Sequence, residues 1–143
     1  MRSIVRRTRL FLLVLALALA SCSSSESVEE QSKLAGSTAQ AAVLVSEAWL
    51  SGAAPSHYAS AALQSFAETF EVAALQVETS PSSDPAKRQA LREAFIRLSI
   101  AARRAERAVE TEQQAQASQA RHEILAARAD LAAAYRDYFA PPQ

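Results

Sequence analysis

The chain has 143 residues, half of them hydrophobic and 21% charged, with fifteen basic and fifteen acidic side chains that cancel to a net charge of zero. A single cysteine leaves no partner for a disulfide, and two glycines leave no glycine-rich phosphate loop. The zero net charge hides an uneven distribution, because bases and acids are sorted along the chain.

Residues 2–9, RSIVRRTR, carry Arg2, Arg6, Arg7 and Arg9 and no acid, and residues 10–20, LFLLVLALALA, are uninterrupted apolar residues. A basic head, a short apolar middle and small residues before a boundary form the layout of a secretory signal peptide. The apolar run is shorter than the roughly 20 residues needed to cross a hydrocarbon core of about 30 Å. It ends in Leu19-Ala20-Ser21-Cys22. This tetrad resembles the lipobox of bacterial lipoproteins: an aliphatic residue, two small ones, then cysteine. The resemblance covers residues 1–22 only. It implies that residues 1–21 are a signal peptide, that the Cys22 thiol carries diacylglycerol, and that the mature chain starts at an acylated cysteine. It also implies a cell-envelope location, with Ser23 rather than an aspartate after the cysteine favouring the outer membrane, facing the periplasm. An acylated Cys22 is unavailable for catalysis or metal binding.

From Cys22 to Gln143 the chain is long enough for one domain. Residues 22–29 are rich in serine and acid and read as a flexible, lipidated tether ahead of a domain spanning 30–140. Four segments follow in which apolar residues alternate at spacings of three and four, the stripe of a bundled helix. The predicted helices are 30–52, 56–79, 85–110 and 114–139. Their core stripes run through Leu34, Thr38, Ala41, Val45 and Ala48, then Ala59, Leu63, Phe66, Phe70, Ala73 and Val77. The third stripe takes Leu91, Phe95, Leu98, Ala102, Ala105 and Val109, and the fourth takes Ala117, Ala120, Ile124, Ala127, Leu131, Ala134 and Tyr138. Gly52 and Pro55 suit a helix end and a new start, while Asp84 and Pro85 suit an N-cap and first helical position. Between the last two segments there is neither glycine nor proline. Continuing the third stripe would bury Glu112, Gln116, Gln119 and Glu123, so a turn is expected, with Thr111 and Gln114 at capping-box spacing. Matched lengths predict an all-α, up-down four-helix bundle. Counting outward from the Pro81–Pro85 loop puts Phe70 and Phe95 at the same height in its core.

Residues 22–84 hold eight acids and one lysine, whereas 85–143 hold ten bases and seven acids. An acidic hairpin packed on a basic one accounts for this sorting. A functional reading makes the basic stretch from Lys87 to Arg107, including Arg97, Arg103, Arg104 and Arg107, a docking face for an envelope partner. A second candidate partner surface is AWLSGAAPSHY, where Trp49 and Tyr58 gather near one turn.

Tests for chemistry are negative. RHEILA opens like the zinc motif H-E-x-x-H, but Ala126 stands where the second histidine belongs, and no Glu-x-x-His pair occurs. The layout is similar to that of the four-helix periplasmic b-type cytochromes, but their ligands are missing: the only methionine is Met1, and Arg136 occupies the C-terminal region without a histidine. No serine sits in a G-x-S-x-G turn. No cofactor, metal or nucleic acid is expected. The sequence points to a non-enzymatic scaffold, adaptor or chaperone-like protein anchored through its N-terminal lipid, with a small-ligand carrier of the periplasm as the alternative.

Overall fold

The computed structural model describes residues 24–81 and 84–143. The signal peptide, the lipobox Leu19, Ala20 and Ser21, and the anchor Cys22 lie outside the described residues. Among the described residues there are four helices and no strand: α1 (Ser24–Leu50), α2 (Ser56–Thr79), α3 (Pro85–Glu110) and α4 (Gln114–Phe139). α2 packs on α3, α3 on α4, and α1 on both α2 and α4, which closes an up-down four-helix bundle. α3 is packed more densely against α2 and α4 than α1 is.

Three helices match their predicted bounds. α1 differs, because it begins at Ser24 rather than near residue 30. The stretch expected to be tether is therefore helical from its third residue, and Val28 is buried in the core.

The inward stripes of α2, α3 and α4 follow the predicted spacing. Only Phe66 and Tyr138 are half-buried rather than buried. Phe70, Phe95, Leu63, Leu91, Leu98 and Ile124 are the largest fully buried side chains. Phe70 and Phe95 both lie in the core, but among the described residues neither ring pairs with another aromatic; the ring contacts there are Tyr135–Phe139 at 4.8 Å and Tyr138–Phe139 at 5.0 Å. The α1 stripe requires correction. Of the five residues expected inside, only Thr38 is buried, and Leu34 is 50% exposed. The helix turns inward instead the set Val28, Ser32, Ala35, Ala39, Ala42, Ser46 and Trp49. These are mostly small, so α1 adds little bulk to the core. The Ser32 and Ser46 hydroxyls donate to the carbonyls of Val28 (2.7 Å) and Ala42 (2.8 Å), so they are buried without an orphaned hydrogen-bonding group.

The chain reversals explain the bounds. α1 and α3 end in the same motif. After α1, Ala53 N–H donates to Ala48 O (2.7 Å) and Gly52 N–H to Trp49 O (3.0 Å), with Gly52 at φ 78°. After α3, Gln113 N–H donates to Ala108 O (2.8 Å) and Glu112 N–H to Val109 O (3.1 Å), with Glu112 at φ 54°. Both are Schellman turns, one built on glycine and one on glutamate. The capping box expected at Thr111 is not formed. Thr111 closes α3 instead, its hydroxyl donating to Arg107 O at 2.7 Å, and Gln113 precedes α4 without a side-chain cap. At the start of α3 the Asp84 carboxylate accepts from Ala86 N–H (3.0 Å) and Lys87 N–H (3.3 Å), with Pro85 in the first position.

Candidate functional site

The basic stretch of α3 splits between two grooves because its arginines point to different neighbours. Toward α2, Arg103 Nε meets Glu71 at 3.2 Å and Arg92 meets Glu78 at 3.3 Å. The hydrogen bond from Arg103 to Glu71 holds its guanidinium more firmly protonated than usual; burial opposes this, and a lesser hydrogen bond to Glu106 adds to it. Toward α4, Arg97 meets Asp130 at 3.0 Å and Arg104 meets Glu123 at 2.8 Å. Across the α1–α4 interface, Arg121 meets Glu47 at 2.6 Å. Much of the acid–base sorting in the sequence is thus spent between helices. Of the four arginines proposed as a docking face, Arg97, Arg103 and Arg104 hold carboxylates of this chain.

Arg107 does not. Among the described residues no carboxylate lies within 4 Å of it, and with Arg104 it lines a cleft of about 680 Å³ beside the α3–α4 turn, opposite Gln113, Gln116 and Gln119. A second α3–α4 cleft of about 340 Å³ lies against Arg97 and Arg104. Arg97, Arg104 and Arg107 therefore share one groove, while Arg103 faces the other way.

Trp49 and Tyr58 are not brought together as one patch. Trp49 is only 8% exposed, and its indole N–H donates to Ser56 Oγ at 2.9 Å, so it closes the end of the core and ties α1 to the start of α2. Tyr58 is 61% exposed. With Leu34, Leu44, Val72 and Leu75 it belongs to a set of large apolar side chains left in solvent on the first hairpin. No charged residue occurs between Lys33 and Glu47, so this part of α1 presents an uncharged surface.

One site was not anticipated. A cleft of about 330 Å³ opens between α1 and α4, with Gly36, Leu131 and Tyr135 beneath Lys33, Arg128 and Arg136. The available signal was the spacing on α4: residues 128, 131, 135 and 136 recur on one helical face beside the only glycine within a helix.

Among the described residues no helix is long and apolar enough to cross a membrane, and no group of three or more potential metal ligands is assembled. No protein family, curated protein or solved structure matches the chain.

Proposed function

We propose that this chain is a lipid-anchored protein of the bacterial cell envelope that works by contact rather than catalysis, as a scaffold or adaptor for another envelope protein. The observation that carries the reading is Leu19-Ala20-Ser21-Cys22, which places the chain's one cysteine directly after a basic head and an apolar run. Ser23 favours the outer membrane, with the bundle in the periplasm. Acylation at Cys22 supplies the membrane attachment, since each buried methylene contributes about 0.8 kcal/mol and more than one chain gives stable anchoring.

The helical body fits such a role. α1 starts at Ser24, two residues after the anchor, so the bundle stands within about 7 Å of chain from the lipid. Its 27 residues then carry the α1–α2 turn about 40 Å outward. Tyr58 lies beside that turn, and the uncharged α1 surface with Leu34 and Leu44 leads to it. Exposed apolar groups, where they gather, are the usual material of a protein contact.

Replacement of Cys22 by Ala tests the anchor: the mature domain should move to the soluble fraction or the precursor should accumulate uncleaved. Normal processing with retention on membranes after an alkaline wash would sink the reading. Crosslinking in intact cells tests the contact, with one dominant protein adduct expected and its loss in Leu44→Lys.

A further inference from the structure

The α1–α4 cleft contains a glycine that the fold does not require. Gly36 lies inside α1, where glycine costs about 1 kcal/mol relative to alanine. A left-handed backbone does not justify it, since the positive-φ glycine is Gly52. Close packing does not justify it either, because a Cβ built on Gly36 meets nothing within 4 Å. Gly36 therefore faces open space. That space is the cleft of about 330 Å³, at the lower end of the roughly 300–1,000 Å³ range of small-molecule sites.

The chemistry of its walls is amphipathic. Gly36, Leu131 and the half-buried ring of Tyr135 form an apolar bed, and Lys33, Arg128 and Arg136 stand around it. Lys33 is already matched: its ammonium lies 2.6 Å from Glu29 and, first by that hydrogen bond and then by its charge, holds the Glu29 carboxyl below the usual range. The two guanidiniums are not matched. Arg128 donates to the neutral Gln40 amide, and neither Arg128 nor Arg136 has a carboxylate of the described residues within 4 Å. By contrast, Arg92, Arg97, Arg103, Arg104 and Arg121 each hold one.

We propose that the α1–α4 cleft binds a small soluble amphiphile bearing an oxyanion, with its carboxylate or phosphate on the guanidinium of Arg128 or Arg136, which leave α4 about 12 Å apart, and its short apolar stem on Gly36, Leu131 and Tyr135. Guanidinium forks suit both oxyanions, and charge-assisted hydrogen bonds are the stronger kind. The assignment is independent of lipid attachment at Cys22.

Titration calorimetry of the purified protein with hexyl phosphate, hexanoate and uncharged hexanol provides the test. Saturable binding of at least one anion is expected, weakened by added salt, with hexanol at least tenfold weaker. Arg128→Gln or Arg136→Gln, whichever guanidinium holds the anion, should weaken it about tenfold, the scale of one lost charge-assisted hydrogen bond. Gly36→Leu should fill the bed and abolish binding without lowering the thermal midpoint, and should that variant unfold, the two arginine variants decide alone. No saturable binding of either anion, equal binding of hexanol, or unchanged affinity in both arginine variants would overturn the proposal. So would binding only to phosphatidylglycerol vesicles, which would make the cleft a membrane contact.

Discussion

The α1–α2 and α3–α4 hairpins are nearly equal in length, yet different forces secure them. Across α3–α4 run two arginine–carboxylate pairs, Arg97–Asp130 and Arg104–Glu123. Across α1–α2 no ion pair occurs among the described residues; its polar links are Trp49 to Ser56 and Ser27 to Gln76. The first hairpin instead brings small residues into contact and leaves Leu34, Leu44, Tyr58, Val72 and Leu75 in solvent. Between the hairpins lies the bulkiest packing, where α2 and α3 contribute Leu63, Phe70, Leu91, Phe95 and Leu98. Alanine-dominated helices can therefore share one fold while assigning stability to one interface and exposed, recognisable surface to another.

Truncation of the α2–α3 packing should have the largest effect. Phe70 and Phe95 are fully buried, and either change to Ala should cost about 3–5 kcal/mol, a large part of the 5–15 kcal/mol typical of a domain. Urea unfolding measures this, and a loss below about 1 kcal/mol would mean that these rings do not dominate the core. The α1 interface should respond in the opposite sense, to added volume. Ala39 is fully buried, and Ala39→Leu should cost about 1–3 kcal/mol through overpacking. A neutral result would mean that α1 is held loosely enough to move aside.

The same contrast explains what could be read in advance. Where a stripe combined large apolar residues with alanine, as in Leu91, Phe95, Leu98, Ala102 and Ala105, spacing identified the buried face. In α1 the largest apolar residues are not the inner ones. Leu34 and Val45 suggested a stripe about one residue around the helix from the buried face of Ala35, Ala39, Ala42 and Ser46. Serine counts as polar in any periodicity, but in a helix its hydroxyl can donate to the preceding turn and pack like a small residue. The tether was misjudged similarly, because Val28 is the only aliphatic residue of 22–29 and one residue makes no period. The arginines were found as a cluster, but a cluster in sequence is divided by 100° per residue, and their partners lie on other helices. The α1–α4 cleft joins residues about a hundred positions apart, and the spacing on α4 shows one of its walls without showing which helix supplies the other.

The two Schellman turns offer a smaller and more selective test. Gly52 and Glu112 occupy equivalent positions at φ 78° and φ 54°. A non-glycine residue there bears about 1–2 kcal/mol of strain, whereas glycine adds about 0.4–1 kcal/mol of unfolded-chain entropy. Gly52→Ala should therefore lower stability by about 1 kcal/mol, and Glu112→Gly should raise it by up to about 1 kcal/mol. Opposite shifts in the thermal midpoint are the expected outcome. A loss in both would mean that Glu112 contributes a contact that outweighs its backbone cost.

The smallest effect should come from the charges that distinguish the hairpins most visibly. Arg97 and Asp130 are 61% and 51% exposed as side chains, so water already solvates both and salt screens them. Pairs of this kind contribute about 0–1 kcal/mol, and fixing two mobile side chains offsets part of that gain. Arg97→Gln should therefore change stability by less than about 1 kcal/mol, with the difference fading as salt is raised. Arg104→Gln should behave alike, although Glu123 is less exposed, at 30%. Repeating both in the Glu112→Gly background separates ladder from turn. If the ion pairs merely decorate a hairpin closed by its turn and apolar stripe, the arginine losses should add to the Glu112 gain without coupling. A coupling of 0.5 kcal/mol or more would make the pairs part of the closure itself. The charged α3–α4 hairpin would then resemble the uncharged one less than their shared turn geometry implies.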